Sequence, residues 1–395
     1  MGESAPTIWI VAGETSGDGY GARLAHEMRA LCPDVCLKGM GGPAMREAGV
    51  EIMVDSSELG VMGLVEVFKI LRRIIGIFRG LVKRASEERP DTVVLIDYPG
   101  FNLRLARKLH ALGIRVVYYV SPQVWAWKKG RIPKIAATVD RLMVIFPFEP
   151  AVYEGTGLDV QFVGHPLLEI LAEERDATIE RDPDTVLLLP GSRRGEIDHL
   201  LPTIAATACL LAKEKPHLRF VMPLPRQSIA DYASRCLEAL PSRPEIEIEI
   251  EIGNARHWMQ RAGTGLATSG TVTVEAAILG LPLVSVYRVH PLTYLLAAVI
   301  IRLPYFTMVN LIAGRQLFPE LLQGEFTPEN ALDALRPLLP DGEKRADVEQ
   351  GMRDMVAALG GTLPASRRAA LSVLEVATRE AQPVSVPPGG RVSVG

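Results

Sequence analysis

Asp97 closes the wholly apolar run Thr92–Ile96 and is followed by Tyr98-Pro99-Gly100-Phe101-Asn102. A carboxylate at the end of a buried strand, beside an apolar wall, is placed to have its pKa raised into the range of a general base. Asn102 is the better N-cap for the helical pattern that follows, which leaves Asp97 without a capping duty. The other reading is an aspartate bonded to neighbouring backbone N–H groups. A second loop, Gly13-Glu14-Thr15-Ser16-Gly17-Asp18-Gly19-Tyr20-Gly21, joins the apolar run Ile8–Ala12 to a helical pattern. Its glycines fit neither G-x-G-x-x-G nor a Walker A loop. Glu14 and Asp18 would repel a pyrophosphate and suit the hydroxyls of a sugar. A tight strand-to-helix turn capped by Asp18 is the alternative.

Two further loops carry the opposite equipment. Gly191-Ser192-Arg193-Arg194-Gly195-Glu196 follows the run Val186–Leu189 and offers a free backbone, a hydroxyl and a guanidinium, which suits a diphosphate. Solvated arginines on a turn are the plainer reading. Ser269-Gly270-Thr271 lies between a short strand pattern and a helix, so hydroxyls, backbone N–H groups and the helix dipole converge there. Glu275 lies one turn further on the same side, within reach of the ribose of a nucleotide, or else is part of a capping box.

All four loops follow strand patterns, and in open α/β sheets ligands sit beyond the carboxyl ends of strands. The runs Ile8–Ala12, Thr92–Ile96, Val116–Val120, Arg141–Ile145 and Val160–Val163 alternate with helical patterns. A charged stretch, Glu173–Asp184, reads as a linker, and the alternation then restarts through Val186–Leu189, Arg219–Met222, Glu245–Ile252, Gly265–Thr268 and Leu283–Tyr287. Continuous apolar runs separated by helices imply parallel sheets covered on both faces. The expected fold is α/β, with two doubly wound, Rossmann-like domains around a cleft. The expected boundaries are residues 1–170, 185–326, a helical region 327–382 packing back across the domains, and a flexible tail 383–395.

Composition narrows the function. In 395 residues, 48% are hydrophobic and 23% charged, so the chain is globular and not disordered. Lys plus Arg is 43 against 46 for Asp plus Glu, a net charge of −3, which argues against a nucleic-acid binder. Cys32, Cys36, Cys209 and Cys236 form no C-x-x-C pair, as expected of a reduced, cytosolic chain. The histidines show no H-x-x-x-H spacing, and Asp182-Pro183-Asp184 sits in the charged linker, so neither metal nor cofactor is expected. No secretory signal is read, and Leu292–Ile301 is too short to span a bilayer. The mean hydropathy of +0.17 is nevertheless high, which suggests contact with lipid. Gly60–Arg84 supplies a candidate: Lys69, Arg72, Arg73, Arg79, Lys83 and Arg84 fall within an arc of roughly 140° on a helix whose remainder is broadly apolar. Such a helix could lie on an anionic membrane, with Trp125 and Trp127 as interfacial anchors, or could pack on the core with its cations in water.

Several segments together resemble the lipid-A-disaccharide synthase family. They are Ala12–Asp18, Val61-Met62-Gly63-Leu64-Val65-Glu66-Val67, Tyr119–Trp127 with its Trp-Ala-Trp, Leu188–Arg193 and Asn310-Leu311-Ile312-Ala313-Gly314-Arg315, in order from about residue 8 to residue 325. The family's usual Ser-Gly-Thr-Ala-Thr-Leu-Glu here carries Val272 and Val274, with the hydroxyls and Glu275 kept. The resemblance implies an inverting glycosyltransferase of GT-B architecture, peripherally associated with the inner face of the cytoplasmic membrane. Its implied donor is UDP-2,3-diacylglucosamine and its implied acceptor 2,3-diacylglucosamine 1-phosphate (lipid X), with no nucleic acid partner; a homodimer is compatible with it. It implies Asp97 as the base, Glu14 and Asp18 as acceptor-orienting groups, and Gly191, Ser192, Arg193, Ser269, Gly270, Thr271, Glu275 and Asn310 about the nucleotide. Lys69, Arg72, Arg73, Arg79, Trp125 and Trp127 would face membrane or acyl chains. Two other readings compete. One is another GT-B enzyme on UDP-N-acetylglucosamine, a lipid-II-type transferase or a 2-epimerase. The other is a non-catalytic nucleotide-sugar or lipid binder, which would have no need of Asp97 and Glu14.

Overall fold

The computed structural model describes residues 5–56, 67–127, 129–240, 246–289 and 303–379. The chain divides into two compact units: residues up to Gly164 together with those from Leu363 onward, and His165–Thr362. The division therefore falls before the stretch read as a linker. Of that stretch, Glu174 ends the helix Leu167–Glu174 and Asp182 begins a strand. Between them Arg181 is anchored inside the second unit, donating to the carbonyls of Met259, Ala262 and Leu279.

The first unit is built on a seven-stranded sheet. Its strands are β1 Thr7–Ala12, β2 Cys36–Gly41, β3 Glu51–Asp55, β4 Thr92–Ile96, β5 Arg115–Tyr119, β6 Arg141–Val144 and β7 Asp159–Phe162. They run in the order β3-β2-β1-β4-β5-β6-β7, all parallel. Burial on both faces explains the unbroken apolar runs of β1, β4 and β5. β2 has no such run because Gly39 and Gly41 interrupt it; a β-carbon on Gly39 would overlap the Ile10 backbone. The glycine that hides this strand from a reading by pattern is the one that lets it approach β1.

The second unit holds six strands, β8 Asp182–Leu189, β9 Arg219–Leu224, β10 Ile248–Ile252, β11 Ala262–Thr268, β12 Leu283–Tyr287 and β13 Glu320–Leu322. The order is β10-β9-β8-β11-β12-β13, again parallel. Glu249 on the edge strand β10 pairs with Arg219 at 2.9 Å, while Ile252 at its end is 46% exposed, so the Glu–Ile alternation is only partly matched by burial. In each sheet the order in which successive strands are added reverses once, between β1 and β4 and between β8 and β11. Those are the switch points where loops part and leave a crevice.

Of the helices expected after residue 327, Pro328–Leu335 and Arg345–Leu359 belong to the second unit and Ala365–Thr378 to the first. The last is clamped by two arginines. Arg141, 1% exposed, bonds the Ser372 carbonyl at 3.0 Å, Glu375 at 2.8 Å and Asp159 at 2.7 Å. Arg115 donates to the carbonyls of Val376 and Ala377 at 2.9 and 3.0 Å, capping the helix end. Among the described residues no helix is long and apolar enough to cross a membrane. Val61–Glu66, Leu292–Ile301 and the tail 383–395 lie outside the described residues, as do the side chains of Lys69 and Trp127.

Candidate active site

The loops after β1 and β4 meet at the switch point of the first sheet. A β-carbon on Gly13 would overlap the Tyr98 ring, so the two loops interlock only with glycine there. Asp97 and Tyr98 both take left-handed backbone, φ 44° and 46°. For residues with a β-carbon this costs about 1–2 kcal/mol each and must be held by other bonds. Those bonds are present. The Asp97 N–H donates to the Tyr119 carbonyl at 3.0 Å. Its own carbonyl accepts from the Tyr118 hydroxyl at 2.5 Å and from Asn102 Nδ2 at 2.8 Å, and the same Nδ2 reaches the Ile96 carbonyl at 3.0 Å. The turn leaves the Asp97 side chain half-buried, with exposed Glu14 close enough for its charge to be felt. Burial first, then the Glu14 charge, hold the Asp97 carboxyl above the ordinary aspartate range, against a lowering hydrogen bond from the Tyr98 backbone N–H.

Three expected roles in this unit are corrected. Asn102 is not the N-cap of the helix Pro99–Ala111; left-handed Tyr98 is, and Asn102 lies fully buried inside the first turn. Asp18 does not face a sugar. Only 5% exposed, its carboxylate accepts from the backbone N–H groups of Gly42, Ala44 and Met45 at 2.6, 3.0 and 3.2 Å, closing the N-terminus of the helix Pro43–Glu47. Trp125 is no interfacial anchor. It is 8% exposed, packs edge-on to Phe148 and donates its indole N–H to Glu149 at 3.3 Å. Burial pushes the Glu149 carboxyl up to about 7, although that carboxylate also accepts from the Ile145 and Phe146 N–H groups.

At the switch point of the second sheet lies a cavity of about 980 Å³. Gly191, Ser192 and Arg193 line it after β8, and Ser269, Gly270, Thr271 and Glu275 line it after β11. The size suits a nucleotide. The first of these loops is not a bare backbone nest, however. Glu196 accepts from the N–H groups of Ser192 and Arg193 at 2.7 and 3.2 Å, so a protein carboxylate already occupies the amides read as a diphosphate cradle. What remains toward the cavity is the Ser192 hydroxyl and the Arg193 side chain, 84% exposed and 3.6 Å from Glu196. Arg194 turns elsewhere, with its guanidinium 5.1 Å from the Tyr232 ring centre.

Glu275 is held by a residue that the motif reading missed. Arg256 donates to it at 2.8 Å and to Glu174 at 2.6 and 2.8 Å, and all three line the cavity. The sequence signal for Arg256 is faint: it stands three residues beyond Gly253, which follows β10 in left-handed backbone. Asn310, by contrast, does not line the cavity. Fully buried, it donates to the Phe318 carbonyl and Glu320 and accepts from the Leu317 and Phe318 N–H groups, all at 2.8 Å. Every polar atom of its amide is thus spent on folding the segment Leu317–Glu320. Asp182-Pro183-Asp184 starts β8, at the opposite end of that strand from the cavity.

The helix Val67–Glu88 places Ile74, Ile77, Phe78, Leu81, Val82 and Ala85 on the core of the first unit, with Phe78 edge-on to Phe101. Arg72, Arg73, Arg79, Lys83 and Arg84 are exposed. Those apolar side chains are therefore spent on the protein, while Ile75 is 40% exposed alongside the cations.

Residues 8–373 match the model of the lipid-A-disaccharide synthetase family. The lipid-A-disaccharide synthase of Myxococcus xanthus is 40% identical over 94% of this chain and 97% of its own length. That of Koribacter versatilis is 41% identical over 94% of this chain and 99% of its own. Among solved structures, the UDP-GlcNAc 2-epimerase of Neisseria meningitidis superposes with a TM-score of 0.64 at 13% identity, covering 93% of this chain and all of that one. The glycotransferase of kitacinnamycin gives 0.60 at 16% identity over 95% of this chain. At such identities the likeness carries the fold alone, which is GT-B.

Proposed function

The chain belongs to the lipid-A-disaccharide synthase family, and from that premise we propose how its residues divide the work. It is a UDP-sugar-dependent glycosyltransferase of lipid A biosynthesis, moving 2,3-diacylglucosamine from its UDP ester to lipid X. The epimerase alternative is not favoured, since that likeness is confined to the fold. In the proposed mechanism Asp97 takes the proton from the acceptor 6-hydroxyl as that oxygen attacks the anomeric carbon from the face opposite UDP. Exposed Glu14 orients the acceptor. Arg193 and the turn Ser269–Thr271 meet the diphosphate as negative charge grows on it. Glu275, fixed by Arg256, takes the ribose. Asp18 and Asn310 carry no substrate role.

The observation that carries this reading is the Asp97 turn, a carboxylate lifted by burial and by a like charge at the switch point. A base must be ionised to act, so turnover should fall on the acid side as Asp97 gains its proton. Glu14→Gln removes one of the two causes that raise Asp97. The acid limb of the kcat–pH profile should therefore move to lower pH, while burial keeps it above the value of a free aspartate. A limb that stays in place or moves up would detach it from Asp97.

We also propose that the exposed cations of the helix Val67–Glu88 draw the enzyme to an anionic leaflet at the cytoplasmic face, where acylated substrates reside. Each cation near such a surface contributes about 1 kcal/mol. Changing Arg72, Arg73 and Arg79 to Glu should abolish co-sedimentation with anionic vesicles, and parent binding should weaken as salt rises. A folded triple variant that sediments like the parent places the contact elsewhere.

A further inference from the structure

Asp97 and Tyr98 are consecutive non-glycine residues in left-handed backbone. Asp tolerates that conformation better than most residues but Tyr does not, and two in succession are costly, so the surroundings must hold the turn. Two buried side chains do so from one side. The Tyr118 hydroxyl and Asn102 Nδ2 both donate to the Asp97 carbonyl, and Asn102 extends the grip to Ile96. Tyr118 and Asn102 are both fully buried, and the Tyr98 ring stacks on that of Phe101 with ring centres 5.8 Å apart.

The Asn102 amide shows the direction of the demand. Its Nδ2 makes two hydrogen bonds to the turn, while its Oδ1, also buried, finds no partner among the described residues. A buried amide that leaves its acceptor unmatched is unfavourable unless its donors serve something else. Here they serve the two carbonyls that bracket the strand end. We infer that Tyr118 and Asn102 are positioning residues for the transfer reaction: they hold the Asp97 backbone left-handed and so aim its carboxylate at the acceptor hydroxyl. This rests on the reading of Asp97 as the base. Neither residue touches substrate in this account; each acts through Asp97 alone.

The test is a double-mutant cycle on the full chain. Tyr118→Phe removes one hydroxyl and keeps the buried ring. It should lower kcat roughly 10- to 100-fold, the scale of a misplaced reacting group, with both KM values within about twofold of the parent. The same change in an Asp97→Asn background should cost less than about twofold, because the group it aims is already disabled. Asn102→Ala should behave in the same way, and thermal unfolding of each variant checks that the fold persists. An equal loss in both backgrounds would make Tyr118 a general structural residue and overturn the inference, as would parent-like turnover of Tyr118→Phe. Parent-like turnover of Asp97→Asn alone is a different failure: it removes Asp97 as the base, and the inference falls with it.

Discussion

Asp97→Asn is expected to lower turnover by at least about 100-fold, the usual scale for losing a general base, with UDP affinity and thermal midpoint close to the parent's. Asparagine fits the same space and leaves the backbone bonds of the turn untouched, since those run through the Asp97 N–H and carbonyl. What it removes is the ionised carboxylate. The effect should lie in kcat and kcat/KM together, because the proton is taken only as the oxygen attacks. Steady-state kinetics with UDP release as readout decides the matter, and near-parent turnover would take Asp97 out of the mechanism.

That residue was legible in the sequence because a single rule finds it: a polar group directly after a buried apolar strand at a switch point. The same simplicity explains which strands were legible. β1, β4 and β5 are unbroken apolar runs, whereas β2 is interrupted by the glycines that let it pack and β13 spans three residues only. Asp18 and Asn310 were misread for another reason. Apart from the Glu320 carboxylate that Asn310 meets, their partners are backbone N–H and C=O groups, which have no residue-type signature, and those of Asp18 lie 24 to 27 positions away in the chain. A motif can flag a polar residue but not say whether a substrate or the protein's own backbone will satisfy it. Trp125 is a different case, its indole being matched by a side chain 24 positions away, the buried Glu149. Glu196 was a local signal that could have been used, because a Glu three residues into a helix often accepts from the N–H groups of the turn before it, as it does here from Ser192 and Arg193.

The second large effect is expected at the diphosphate. Since Glu196 already fills the loop amides, the Arg193 guanidinium is the main positive charge this loop can offer a departing UDP. Arg193→Ala should cost about 100-fold in turnover and weaken UDP binding measurably by calorimetry. Arg194→Ala should cost far less, because that side chain lies over Tyr232, whose hydroxyl bonds Asp198 at 2.5 Å. Equal losses at the two positions would contradict the assignment. A larger loss at Arg194 would mean that the loop rearranges when UDP arrives.

Transfer by a single displacement at the anomeric carbon is tested most directly by the stereochemistry of the product. Incubating the protein with UDP-2,3-diacylglucosamine, whose sugar is α-linked, and lipid X should yield UDP and a disaccharide 1-phosphate in equal amounts. Nuclear magnetic resonance of the new bond should show a β-1,6 linkage, since one attack opposite the leaving group inverts the centre. An α-linked product would mean retention, by two displacements or by attack on the face that UDP leaves, and would contradict a single attack from the opposite face. UDP release without any disaccharide would equally contradict it.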